Sequence, residues 1–180
     1  MSVVYPQPAY QQGLAGVMSS APGQSMFCVT SPTVASGAAT CTPGTDIVDL
    51  PAGFAGRNSP DLSLNADPET GYALYYNSKW STGSGGTSFV APQLNGIFAL
   101  LTQKLGGRVG WPHPQLYSLF KTMGYGATSP FRAITTGTNL YYQAAPNYNP
   151  ATGLGTLDVS NLATALPVTP PAKSELKRAR

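Results

Sequence analysis

Between Gly86 and Gly106, apolar residues fall at Ala91, Leu94, Phe98, Leu101 and Leu105. Spacings of three and four place them on one face of a helix. The pair Gly106-Gly107 ends that helix. A helix with one apolar stripe must bury it against another layer, so this stretch excludes an all-β chain. Pro92 sits inside the pattern. Proline is tolerated in a first turn, where its missing N–H costs little, so the spacing predicts a helix over about 88–105.

Gly85-Gly86-Thr87-Ser88 lies directly ahead of the stripe. The two glycines permit positive φ or close backbone approach. Ser88 then has two readings. Serine is a common N-cap. It is also a nucleophile when a base takes its proton and donors face the developing oxyanion. A helix N-terminus suits the second role, because its N–H groups are unpaired and its dipole favours negative charge.

The base is the difficulty. The single histidine, His113, stands in Trp111-Pro112-His113-Pro114. The prolines make a rigid entry to a second helix, near 114–123, whose apolar face is Leu116, Leu119, Phe120 and Met123. His113 therefore reads as a loop or capping residue rather than a triad base. Cys28 and Cys41 have no histidine nearby, which excludes a thiol nucleophile. Among the carboxylates, Asp46 and Asp49 read as solvated loop residues between Pro43-Gly44 and Pro51-Ala52-Gly53. Asp67-Pro68-Glu69-Thr70-Gly71 reads as a turn. Asp158 precedes Val159, Leu162, Ala163 and Leu166 and reads as the N-cap of a helix over about 158–166. Asp61 and Glu175 complete the set without suggesting a base.

Elsewhere residues 1–17 read as strand and turn, Tyr72–Tyr76 as a short strand, and 124–157 as loop. Charged residues make up only 9%, against 20 glycines and 17 prolines. This is turn-rich but not disordered composition, and it leans toward extracellular proteins. Lys173, Lys177, Arg178 and Arg180 against Glu175 account for the net charge of +3. They follow Pro167, Pro170 and Pro171, so 167–180 reads as a solvated tail with no nucleic-acid or membrane role. There is no signal-peptide pattern at the start and no run long enough for a membrane helix.

Five motifs in order resemble the sedolisin, or serine-carboxyl peptidase, family. They are Tyr10-Gln11-Gln12-Gly13, the run from Pro60-Asp61-Leu62-Ser63 through Asp67-Pro68 to Tyr72, and Gly85 through Pro92 around Ser88. Phe131-Arg132-Ala133-Ile134-Thr135-Thr136-Gly137 and Tyr148-Asn149-Pro150-Ala151-Thr152-Gly153-Leu154-Gly155 follow. The resemblance runs from about Tyr5 to Leu166. Subtilisins share the serine motif but lack the last two, and they place their histidine before the serine.

The resemblance implies a subtilisin-like three-layer α/β/α fold around a parallel sheet, of which this chain supplies the carboxy-terminal portion. On that reading, residues 1–166 form a partial peptidase domain and 18–56 are a loop-rich insertion within it. It also implies a serine-type endopeptidase acting in acid on polypeptides, with Ser88 as nucleophile. The base in the family is a glutamate held by an aspartate, because a carboxylate stays basic where histidine is protonated. A second aspartate completes the oxyanion site. All three positions lie upstream of the Tyr10 motif, so the isolated chain is expected to be inactive. An amino-terminal partner could complement it; alternatively it is a non-catalytic remnant that binds peptide or protein.

The family's calcium site is expected to be degraded. Its two aspartates correspond to Ala133 and Asn149, leaving the Ile134 carbonyl and a neutral amide, and a hard cation wants anionic oxygens. No cofactor is expected. The implied extracellular setting favours a Cys28–Cys41 disulfide over two free thiols, worth about 3 kcal/mol in the chain-entropy view.

Overall fold

The computed structural model describes residues 1–22, 25–27, 46–139 and 141–167, with backbone alone for 25–27 and 46–48. Cys28, Cys41 and the tail beyond Pro167 lie outside the described residues, as does most of 18–56. The chain divides into two compact units, Met1–Ser59 and Pro60–Arg180.

In the first unit a 3₁₀ turn, Ala9–Gln11, carries the Tyr10-Gln11 motif. Strands β1 (Ser25–Phe27) and β2 (Asp46–Asp49) pair antiparallel, with a bulge after Met26. Asp46 and Asp49 are thus strand residues rather than the loop residues their flanking prolines and glycines suggest. The chain ends are tied by Pro6 against Gly56 and by Ser20, whose hydroxyl donates to Pro51 O (2.6 Å) and accepts from Phe54 N (2.8 Å).

In the second unit β3 (Tyr72–Tyr76) turns back as β4 (Lys79–Ser84). The turn residues Asn77 and Ser78 both have positive φ, 52° and 61°, which is the type I′ geometry that suits the twist of a hairpin. Next come α1 (Thr87–Leu105) and α2 (Pro112–Met123), then β5 (Phe131–Arg132), β6 (Thr156–Leu157) and α3 (Val159–Ala165). The β3 and helix expectations hold. The parallel sheet does not appear: each described strand pair is antiparallel and two-stranded.

The core of this unit gathers Leu101 of α1, Leu116, Tyr117 and Phe120 of α2, Phe131, Tyr148, Leu154, and Leu162 with Leu166 around α3. Phe120 meets Phe131 edge-on at 5.3 Å, an arrangement favoured by the ring quadrupoles. Along α1 only Leu101 is buried; Leu94, Phe98 and Leu105 are half-exposed and Ala91 is open. The β3–β4 hairpin is bare on both faces, with Tyr76 81% and Trp80 73% exposed.

Two of the sequence motifs interlock through backbone. Leu154 N donates to Asp61 O (2.8 Å), and Ser63 N donates to Gly155 O (3.0 Å). Gly153 has φ 63°, and an added Cβ would lie 2.5 Å from Asp61 O. The close approach explains why glycine stands there. Asp158 caps α3, its carboxylate accepting from Asn161 N (2.9 Å), as its position before the apolar stripe predicts. The same carboxylate accepts from Arg132 Nη2 at 2.6 Å.

Candidate functional site around Ser88

Local sequence places Ser88 at a helix start for reasons visible in the structure. Asp67 accepts from Glu69 N (3.1 Å), Thr70 N (3.1 Å) and Thr70 Oγ1 (2.8 Å), which closes the Asp-Pro-Glu-Thr turn. Gly85 packs on that turn; a Cβ there would lie 2.5 Å from Pro68 N. Gly86 N donates to Ala66 O at 2.5 Å. Phe89 stacks on Tyr72 at 5.5 Å and 11°. The loop before Ser88 and the residue after it are both fixed.

Ser88 is not the N-cap. Gly86 takes that position at φ 107° without a side-chain cap bond, and Ser88 is the second helical residue, exposed. Pro92 is the sixth residue, not a first-turn proline. It therefore removes the N–H that the Ser88 carbonyl would otherwise accept.

The described carboxylates whose side-chain partners are defined are engaged elsewhere. Asp67 serves its own turn, with its carboxyl held below the ordinary aspartate range by the Glu69 N–H first and the Thr70 hydroxyl next. Asp158 is held low chiefly by the Asn161 N–H, and by the Arg132 guanidinium. Asp61 accepts from Tyr117 Oη at 2.9 Å, and its Oδ2 lies 3.5 Å from His113 Nε2.

This last grouping corrects the reading of His113. It is neither loop nor cap: Trp111 holds the cap position and His113 is the second residue of α2. His113 and Tyr117 are four apart on one helix face, so both reach the same carboxylate. The four-residue spacing was a usable signal; the partner, 56 residues away from Tyr117, was not. Asp61 and His113 border a cavity of about 610 Å³ that is otherwise lined mainly by Leu62, Leu94, Phe98 and Leu116.

At the positions of the expected calcium ligands, Ala133 offers no side-chain oxygen. Asn149, nearly buried, spends both ends of its amide on the loop. Oδ1 accepts from Ala151 N, Thr152 N and Thr152 Oγ1 (3.1, 2.9 and 3.0 Å), and Nδ2 donates to Ala145 O (2.9 Å). An amide N–H pointing at a carbonyl is the reverse of what a hard cation needs from a ligand.

Residues along most of this architecture match known peptidases. The chain is 40% identical over 105 residues to kumamolisin from Bacillus sp. (strain MN-32), covering 58% of this chain and 19% of that one. The chain is similar to part of a sedolisin-family domain. It is also 32% identical over 112 residues to xanthomonalisin from Xanthomonas sp. (strain T-22), covering 60% of this chain and 13% of that one. The structure resembles Pseudomonas sedolisin, described as a serine-carboxyl proteinase and solved with two molecules of pseudo-iodotyrostatin. The TM-score is 0.56 at 25% identity, over 91% of this chain and 34% of that one. No family profile matches the chain. The similarity thus spans most of the chain, while the chain spans between 13% and 34% of each of these relatives.

Proposed function

We propose that this chain is the carboxy-terminal part of a serine-carboxyl peptidase domain that cleaves polypeptides in acid, with Ser88 as its nucleophile. The observation that carries the reading is the placement of Ser88. It is exposed at the second position of a 19-residue helix, behind a glycine pair held against the Asp67 turn. The dipole of a helix favours a developing anion at its N-terminal end. Because the carboxylates with defined partners hold other groups, the base and the oxyanion aspartate would come from polypeptide outside these 180 residues. The chain alone would then not turn over.

Complementation tests this. The chain is mixed with the amino-terminal part of the kumamolisin catalytic domain and assayed on a denatured protein at about pH 4. Cleavage by the mixture, none by the chain alone and none with Ser88→Ala is the expected result. Cleavage by the chain alone, lost in Ser88→Ala, would overturn the inactivity. A mixture that binds but never cleaves would count against the nucleophile.

The bare hairpin carrying Tyr75, Tyr76 and Trp80 favours one rival, a peptide- or protein-binding remnant. That reading expects binding undiminished by Ser88→Ala. We also infer that the Asn149 loop closes without metal, so its melting temperature should ignore both calcium and chelator. The low charge favours an extracellular setting for the intact protein. No described helix is long and apolar enough to cross a membrane.

A further inference from the structure

We propose that Asp67 is a positioning residue for Ser88, acting through the turn it closes and the Gly85-Gly86 loop that rests on that turn. Only the meaning of Ser88 depends on the peptidase reading; the coupling stands on geometry.

The linkage has three contacts. The Asp67 carboxylate gathers Glu69 N, Thr70 N and Thr70 Oγ1, and the turn is completed by Gly71 N to Pro68 O (3.3 Å). Asn65 clamps the turn from its other side, accepting from Asp67 N (3.1 Å) and donating to Thr70 O (2.9 Å). The outer surface of the closed turn, at Pro68, meets Gly85 with no room for a methyl group. Directly before the turn, Ala66 O takes the N–H of Gly86, the residue that caps α1. Ser88 is two residues further on. A shift of the turn therefore moves the point from which α1 starts.

An ionised carboxylate accepts these three bonds as charge-assisted ones. A protonated carboxyl turns one oxygen into a donor and keeps only weaker, neutral acceptor capacity for two backbone N–H groups and a hydroxyl. The turn slackens, and the Gly85 contact slackens with it. The other charged group on the turn is Glu69, exposed. On the opposite side, Asp67 borders a cleft with Ser63, Ile134, Thr136, Thr138 and Thr152, whose lining has no other ionisable group. The state of the Ser88 loop thus follows the charge of one carboxylate, and Asp67 sets an acid limit for the geometry of the nucleophile position.

The test uses the ¹⁵N-labelled full chain, with amide resonances followed from about pH 6 to about pH 2. Gly86 and Ser88 amides should titrate with the Asp67 carboxyl, and that titration should vanish in Asp67→Asn while surviving in Asp158→Asn. Thr70→Val keeps the carboxylate but removes one donor, so it should move the Gly86 midpoint to higher pH; this arm serves if Asp67→Asn does not fold. A Gly86 resonance that stays flat while Asp67 titrates, or that titrates unchanged in both turn variants, would overturn the proposal. Ser88→Ala keeps the titration whether or not Ser88 is a nucleophile, so failure of the peptidase reading leaves this result interpretable.

Discussion

The side chain of Gln11 pairs with the backbone of Asn58 in both directions. Asn58 N–H donates to Gln11 Oε1 (2.9 Å), and Gln11 Nε2 donates to Asn58 O (2.8 Å). Both residues are buried, and the Asn58 side chain in turn clasps Met18 through its N–H (2.9 Å) and its carbonyl (2.9 Å). The glutamine of the Tyr10-Gln11-Gln12-Gly13 motif therefore does structural work. Gln11→Ala takes the partner from the buried Asn58 N–H, at a cost of about 1–3 kcal/mol, while Asn58 O keeps its bond from Arg57 Nη1 (2.9 Å). Urea unfolding should show a lower midpoint, and the Asn58 amide should lose its protection from hydrogen exchange.

Glycines 85 and 96 should respond oppositely to a methyl group. Gly85→Ala drives Cβ to 2.5 Å from Pro68 N, a backbone atom with little freedom to move. We expect a loss of about 3 kcal/mol or more, as for other strained backbone sites. Gly96 lies within α1, with nothing within 4 Å of an added Cβ. Gly96→Ala should stabilise by about 0.5–1 kcal/mol. Thermal unfolding of the two variants decides both.

The β3–β4 turn contains a correctable strain. Ser78 adopts φ 61°, where a side chain is disfavoured and glycine is not. Ser78→Gly creates the Asn-Gly pair that type I′ turns prefer and should add up to about 1 kcal/mol. A fall in stability would show that the Ser78 side chain has a role its exposure conceals.

Asp158 gives the fold an acid-side dependence. Its carboxyl is held below the ordinary range by the Asn161 N–H and then by Arg132. A depressed native value means the unfolded chain takes up the proton first. Its contribution is therefore complete above the unfolded value and is lost as pH falls through the native one, below about pH 4. Asp158→Asn keeps a capping oxygen and loses the ion pair, so its stability should fall less steeply over that window than the parent's. Parallel slopes would place the acid sensitivity in another group.

How much of this could be read in advance depended on locality. The α2 and α3 helices, the Asp158 cap and β3 were legible because each signal lies within a few residues. Strand β4 was not, since Lys79–Ser84 offers one Trp among polar and small residues and acquires its conformation by pairing with β3. The start of α1 was legible to within a residue, but Pro92 was read as a first-turn residue and stands sixth in the helix, which the glycine loop resting on the Asp67 turn starts at Thr87. The Asp61, His113 and Tyr117 grouping depends on a contact across half a hundred residues, which no local period reports. Ser88 itself was found through its motif; its fixed position needed the turn around Asp67, the stacking of Phe89 on Tyr72 and the Gly85 contact.

Both tryptophans of the chain stand largely in water, Trp80 on the hairpin at 73% exposure and Trp111 at the mouth of α2 at 64%. Their emission in the native chain should already resemble that of the denatured one, so intrinsic fluorescence is a poor witness to unfolding here. The same circumstance makes it a good witness to company. Any polypeptide that settles over the hairpin must dry Trp80, and a blue shift in emission would announce its arrival without a label.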